Sequence, residues 1–567
     1  MGDLLAADPA HKEYLKESLQ HYAAAVKQIE RFGVHWRLVS DIREKQQRAR
    51  TVLATLSGAP VPAGVRIRQP ERLLTGLPEE KAWERLLAHG MENEAWGRPD
   101  DALRLYELAA VAISRRLAFA LDETTIRQIG DQCATGYHLL ARSYMRAARH
   151  EDALNASETL RAATVRAARQ GIDRKELADS VRRTGTYYPP VGGLTGIRDV
   201  MVDVLGQLRL LPSGSFAPGL GFLSVSVGKG TALASLVWRE DDEWRTAGLD
   251  WEYEKELFDD LGHLHSKADS LTFRMPMFQR VLPRLSRTLL APVLGLLSDH
   301  HIDKLAISTG GLLSRIPFEA LPIDGSQCLA ERFKVSYVPS IPLAAEFPVR
   351  SADVNPRLLV VSYPDADLPN VASEVQSIED MWAGNVHVLR AERASKRDVL
   401  DSLTGVWTNI HFACHADFNP VAPLQSSLQL RSRADQDRYR VTAEDLLSTS
   451  LTPGVTVTLS ACSSALTSFG ITNDCSGLTG SLLRAGAGAV IGSRWAVRDE
   501  TGDAFMTSLY MRLLHQEEPA LAVHAVQRQL AERVELDDWA AFSYLGKPPP
   551  AISATPGYPA RKEVFHD

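Results

Sequence analysis

Between residues 221 and 493 the sequence lays down short runs that are alternating or apolar on both faces: GFLSVSV, ALASLVW, KLAIST, KVSYVP, RLLVVS, NIHFAC, VTVTLSAC and AGAVIGS. Helix-length stretches such as QRVLPRLSRTLLAPVLGLLSDH, ASEVQSIEDMWA and SKRDVLDSLTG separate several of them. A strand without a polar face needs cover on both sides, and strands joined through helices run parallel. This half of the chain is therefore expected to be an α/β fold, a mostly parallel sheet flanked by helices.

The first 180 or so residues follow another pattern. They are rich in Ala, Leu, Arg and Glu with few β-branched runs, which favours helices. RPDDALRLYELAAVAI and YHLLARSYMRAARHEDALNASETLRAA each read as helical sequence with a polar turn and Ala-Leu near the start of a second helix. Tyr137, Leu140, Ala141, Tyr144, Ala153 and Leu160 stand at the offsets of a tetratricopeptide repeat, and Gly90, Ala102, Tyr106 and Ala109 match it less fully. Ala102 and Ala153 are 51 residues apart instead of about 34, so the repeats are irregular or an extra helix intervenes. A plain helical bundle is the alternative. TGTYYPPVGGLTG stops helices and places a boundary between 180 and 205, and the proline-rich tail GKPPPAISATPGYPARKEVFHD reads as loose.

Charge and apolar content exclude several classes of function. Lys and Arg total 63 against 70 Asp and Glu, a formal charge of -7, so no global positive field gathers nucleic acid. The run Leu289 to Leu297 is interrupted by Pro292 and falls short of the roughly 18 apolar residues of a membrane span. The opening MGDLLAADPAHKEYLKES lacks the order of a signal peptide. A soluble, cytoplasmic protein with no nucleic-acid or membrane partner is the expectation. The five cysteines, Cys133, Cys328, Cys414, Cys462 and Cys475, are too few and too scattered for a disulfide framework.

Two strand ends carry chemistry. NIHFACHADF ends its apolar run just before His415, and VTVTLSACSS just before Cys462. In a parallel sheet the carboxyl ends of strands share one edge, where ligand crevices form, so His415 and Cys462 are expected on one rim. Their separation of 47 residues leaves room for one crossover and a return strand. A thiol of pKa about 8.5 is mostly protonated at neutral pH, and an imidazole beside it stabilises the thiolate and can protonate a leaving amine. Cys462 is the expected nucleophile and His415 the acid and base. The backbone N–H groups at Ala416, and at Cys462 and Ser463, would serve the oxyanion. The order and spacing are similar to those of caspases, although SACSS lacks the caspase signature around its cysteine.

The stretches KLAISTGGLLSRIPFEALPI, KVSYVPSIPLA, NIHFACHADFNPVAPLQSSLQL, VTLSACSSA, LLRAGAGAVIGSRWAVRDE and WAAFSYLG resemble, in order, those of the CHAT family. These are caspase-like cysteine peptidases related to separase and commonly fused to tetratricopeptide repeats. The resemblance covers about 205 to 547 and implies a caspase-like fold, with His415 as catalytic histidine and Cys462 as nucleophile. It departs from the family at Ala416, where glycine usually follows the histidine. The implied organisation is a helical, tetratricopeptide-like domain over 1–195, the first half of the CHAT region over 196–345, a protease core over 346–547 and a tail over 548–567. The implied function is an intracellular cysteine endopeptidase without a cofactor, acting on a protein substrate and latent until a protein activator engages the helical repeats. A catalytically silent scaffold is the alternative.

The neighbouring residues have plainer readings. His411 is expected to be a packed or hydrogen-bonded strand residue and Cys414 a core residue. A zinc site drawing on His411, Cys414, His415 and Cys462 is disfavoured, because His411 and Cys414 point to opposite faces of a strand. Cys475 lies in a polar segment that resembles the variable loop lining a caspase-like cleft. Asp499 stands where the family's W-x-V-x-D motif has its aspartate, and either borders the substrate pocket or caps the following helix. Ser427, with Leu428 and Leu430, reads as structural.

Overall fold

The computed structural model describes residues 20–24, 42, 79–119, 123–159, 161 and 216–549, apart from 229, 242, 254–255, 268–273, 325–326, 349–354, 365–367, 391–394, 420–421, 431–438 and 461–476. From residue 79 the described chain forms two helical hairpins, α1 (Glu79–Ala95) with α2 (Pro99–Phe119), and α3 (Glu123–Arg146) with α4 (His150–Glu158). Ala102 and Ala153 fall near the starts of the second helices of consecutive hairpins. Among the described residues no extra helix intervenes. The 51-residue spacing comes from long helices, 21 residues in α2 and 24 in α3. Small residues bring the partners close: a Cβ on Gly90 would lie 2.4 Å from the Tyr106 ring. Ala102, Tyr106, Ala109, Tyr137, Leu140, Ala141, Tyr144 and Ala153 are all buried in this core, and Leu160 lies outside the described residues. The connector at 180–205 and the tail from 550 also lie outside them.

The remainder is built on one large sheet. Its first strands are β1 (Leu220–Val227), β2 (Thr231–Glu240), β3 (Glu243–Glu252) and, after α5 (Glu256–Lys267), α6 (Arg274–Leu285) and α7 (Ala291–Ser298), β4 (Lys304–Ser308). A small hairpin, β5 (Pro322–Asp324) and β6 (Gln327–Cys328), and the short α8 (Leu329–Arg332) precede β7 (Lys334–Tyr337). There follow β8 (Leu358–Ser362), α9 (Val371–Met381), β9 (Val386–Arg390), α10 (Lys396–Leu403), β10 (Asn409–Ala413), β11 (His415–Asp417), β12 (Ser427–Gln429), β13 (Arg440–Thr442) and α11 (Ala443–Leu447). The last elements are β14 (Thr456–Ser460), α12 (Leu478–Ala485), β15 (Ala489–Ser493), α13 (Asp499–Leu514), α14 (Pro519–Ala531), α15 (Leu536–Trp539) and β16 (Phe542–Gly546).

The sheet order is β3-β2-β1-β4-β7-β16-β15-β14-β10-β8-β9. It is mostly parallel, with antiparallel pairs at β1/β2, β2/β3 and β15/β16. The antiparallel seam at β15/β16 divides it into two parallel blocks of opposite direction, so the carboxyl ends of β4 and β7 lie on the edge opposite to those of β8, β10, β14 and β15. A buried guanidinium closes the seam: Arg494 Nη1 donates to Glu319 Oε1 at 2.8 Å and to the carbonyl of Ala540 at 3.0 Å. Helices cover both faces. One layer of core joins α6, α7, α9, α13 and α14, and a separate layer takes Leu359, Val361, Ile410, Phe412, Val457 and Leu459 against α10, α11 and α12.

Helix α6 continues through a π-turn at Ser286–Leu290 into α7, a run of 25 residues long and apolar enough to span a membrane by length and composition. One face of it packs into the main core. Arg274 at its start is fully buried on Asp537, with Nε to Oδ2 at 2.9 Å, and Phe278, Val281, Leu285, Leu289 and Val293 are buried in the main core.

Candidate active site

The crevice edge of the sheet is assembled by register. In β10, Asn409 to Ala413 pair in parallel with Thr456 to Ser460 of β14 on one side and with Leu358 to Ser362 of β8 on the other. All five residues of β10 are buried, which explains the doubly apolar pattern of the sequence. Ala413 is opposite Ser460, and both strands end at that point. The chain then turns at Cys414 and enters a second, three-stranded sheet in which His415 pairs with Gln429 and Ala416 with Leu428. His415 is therefore two residues beyond β10 and half-buried at the mouth of the rim. Ser427 is a buried member of the same small sheet, its hydroxyl accepting from Arg440 Nε at 2.7 Å. Cys462 follows the last residue of β14 by two and, with Cys475, lies outside the described residues.

His411 and Cys414 face opposite sides. Cys414 is fully buried in the layer with Phe412 and Leu428, and burial pushes its thiol up to about 12. His411 is fully buried on the other face, edge-on to Tyr510 of α13 with ring centroids 5.0 Å apart. Its Nε2 lies 2.8 Å from Glu374 Oε1. Glu374 comes from α9 and is also buried. Its second oxygen, Oε2, accepts from the Ser460 hydroxyl at 3.0 Å. One carboxylate thus joins α9 to the two central strands just before they release His415 and the segment bearing Cys462. The sequence reading did not single out Glu374, because a lone Glu in an amphipathic helix has the pattern of a solvated face.

Asp499 reaches the same rim by way of β15. The intervening loop is held by Trp495, whose Nε1 donates to the carbonyl of Asp537 at 2.7 Å, and by Arg498, which pairs with Asp538. The cap of α13 is Arg498, without a side-chain hydrogen bond, and Asp499 is the first residue of the helix. Of the two readings of Asp499, the capping one is therefore not seen. Asp499 Oδ2 instead accepts from the backbone N–H of Asn370 at 2.7 Å, and Asp503 Oδ2 accepts from the Ser373 hydroxyl at 3.1 Å. These bonds fasten the start of α9 to the start of α13, and at the other end Trp382 Nε1 donates to the carbonyl of Tyr510 at 3.2 Å.

Comparison with known proteins places this architecture. Residues 279–547 match the family model described as the CHAT domain. No curated protein matches the chain. Among solved structures, a separase–securin complex from Saccharomyces cerevisiae aligns with a TM-score of 0.51 at 11% identity, over 96% of this chain and 44% of that one. A second separase–securin structure from the same organism gives 0.45 at 10% identity over 95% and 47%. The Arg-specific cysteine proteinase gingipain R gives 0.32 at 8% identity, over 53% of this chain and 75% of that chain. The chain spans less than half the length of the separase structures. The large, mostly parallel sheet with its flanking helices is the separase caspase-like fold, and within it residues 279–547 are similar to the CHAT domain.

Proposed function

We propose that this chain is a cysteine endopeptidase that cleaves a protein substrate through His415 and Cys462. The observation that carries the reading is the pairing of β10 with β14 in parallel register, which ends both strands at the Ala413–Ser460 pair. Each of the two reactive residues follows that pair by two positions. At about 3.3–3.6 Å per residue, neither Cα can stand more than about 7 Å from its strand end. The Cys462 thiolate would attack the scissile carbonyl, forming the C–S bond and placing the carbonyl electron pair on oxygen. The backbone N–H groups at Ala416 and Cys462 are the candidate donors to that oxyanion. His415 would give its proton to the departing amine as the C–N bond breaks, then take one from the water that releases the acyl group. Asp499 would border the pocket for the residue before the cut. Its Oδ2 is engaged by Asn370, and the carboxylate favours a basic side chain there. The helical hairpins, tetratricopeptide-like in their small-residue contacts, would receive a protein activator in the cytoplasm and hold the enzyme latent without it.

The test is a proteome-wide comparison of cleavage by the wild-type chain with its activating partner and by Cys462→Ala and His415→Ala. Both substitutions are expected to abolish cleavage, and Asp499→Ala to shift the preferred residue away from Arg and Lys. Undiminished proteolysis by Cys462→Ala would overturn the nucleophile. Partner binding without any cleavage by the wild type would establish the scaffold instead.

A further inference from the structure

We propose that Glu374 is a positioning residue for the dyad: its buried carboxylate, shared between His411 on β10 and Ser460 on β14, sets where the two strands deliver His415 and Cys462. The inference rests on the endopeptidase reading and extends it to groups that touch no substrate. A carboxylate buried to this degree is costly to desolvate, and it persists only where hydrogen bonds satisfy it. Glu374 has both oxygens engaged, at 2.8 and 3.0 Å, by side chains of two different strands. His411 Nδ1 is buried without a hydrogen-bond partner, so Nε2 is the atom through which this ring is held. The helix that brings Glu374 is itself fixed against α13, through Asn370 to Asp499 and Ser373 to Asp503 at its start and Trp382 to Tyr510 near its end. Tyr510 in turn packs edge-on against His411. The arrangement is a closed frame of α9, α13, β10 and β14 around one carboxylate. Ser460 is the member nearest the nucleophile, two residues before it in the chain. Losing its bond frees the end of β14 without removing any reacting group, and a displacement of about 1 Å between reacting groups costs on the order of 100-fold in rate.

The experiment uses the full chain and reads the rate at which iodoacetamide alkylates Cys462, by mass spectrometry at neutral pH, so no substrate need be known. Ser460→Ala removes one hydroxyl at the half-buried strand end. It is expected to slow Cys462 alkylation about tenfold while the melting temperature stays within a few degrees, and Ser460→Thr, which keeps the hydroxyl, is expected to restore the rate to within about twofold. Glu374→Gln can still accept from His411 and donate to the serine oxygen, and should fall between the two. A plain packing role for the serine would leave the alanine variant as reactive as the wild type. Wild-type alkylation rates in Ser460→Ala and Glu374→Gln, with His415→Ala slowed, overturn the positioning role and leave the dyad standing. If Cys462 in the wild type reacts no faster than Cys328, and His415→Ala changes nothing, the dyad itself fails and the positioning role falls with it.

Discussion

Cys414 immediately precedes His415, yet it is the wrong thiol for the chemistry, and the reason is its surroundings. Its side chain is fully buried among Phe412, Leu428 and Leu430, and the loss of water drives its pKa up to about 12, with a hydrogen bond at Gln429 offsetting only part of the rise. At neutral pH such a group holds roughly a thousandth or less of the thiolate of an ordinary cysteine of pKa about 8.5. Cys328 is half-buried, and burial first and Glu331 second also raise its pKa. Cys133 is fully buried in the helical core. Brief iodoacetamide treatment of the native chain is therefore expected to leave Cys414 and Cys133 unmodified and Cys328 weakly modified, with all of them reacting once guanidinium unfolds the protein. Rapid native labelling of Cys414 would contradict its placement. Alternation along a strand was enough to assign Cys414 to the core, since His411 and Cys414 differ by an odd number of positions. It could not identify Glu374, whose partners lie 37 and 86 residues away in the chain.

Helix α3 is joined to the sheet by a histidine, and this gives the docking of the hairpins a pH dependence. His138 is buried with Nε2 2.8 Å from the Thr231 hydroxyl on β2, its ring seated on Gly228, where a Cβ would come within 2.1 Å. Burial, and secondarily Arg142, lower its pKa from 6.5 to about 4. Above about 6.5 the histidine is neutral whether folded or unfolded and the docked form keeps its full stability. As pH falls toward 4 only the unfolded chain takes up the proton, so stability declines, by about 2 kcal/mol for this one group by pH 5. His524, lowered to about 4 mainly by burial, acts in the same direction. Melting temperatures measured from pH 8 to 5 should fall on the acid side, and His138→Gln should remove part of that fall but not all. An unchanged slope in the variant would show that His138 is not buried neutral. The same elements show what the sequence revealed and what it hid. Runs such as NIHFA, TVTLS and AVIGS were recognisable as strands because both their faces are buried. EWRTAGLDWE became edge strand β3 despite its charges, and VHVLR became edge strand β9, since an edge position needs only partial burial. The reversal at β15/β16 was hidden because FSYLG returns to the sheet after three helices, and nothing local states its direction.

Across the molecule, the contacts that join the hairpins to the sheet bound any mechanism by which they could switch the proposed dyad. The helical side is anchored by a buried pair: Glu158 Oε1 lies 2.5 Å from Arg161 Nη1. Arg161 also donates to the carbonyls of Ser308 and Val225 at 2.7 and 2.6 Å, while Glu158 Oε2 accepts from the Ile341 N–H at 2.9 Å. This anchor holds the end of β4 and the segment after β7, on the strand edge opposite the His415 rim. Five strand spacings of about 4.8 Å separate β4 from β10, roughly 24 Å, so the Glu158–Arg161 anchor stands well away from His415. A signal must travel through the packed interior, and the segment after β7 offers a route: Leu343 and Phe347, just beyond Ile341, are buried in the same layer as Ile410, Phe412, Val457 and Leu459. Arg161→Met leaves Glu158 buried without its cation and should destabilise docking of the hairpins by about 3–5 kcal/mol, seen as early proteolysis within residues 79–158. Glu158→Gln in the same chain should recover part of the loss, because the amide no longer needs a counter-charge. A partner that stimulates turnover about 100-fold must bind the competent state more tightly by about 2.7 kcal/mol. The Glu158–Ile341 contact is the link expected to carry that differential if the hairpins switch the dyad, because it leads to the segment that bears Leu343 and Phe347. The Arg161→Met chain should then still bind the partner yet lose the stimulation, whereas equal turnover by the wild type with and without the partner would restrict the hairpins to recruiting substrate.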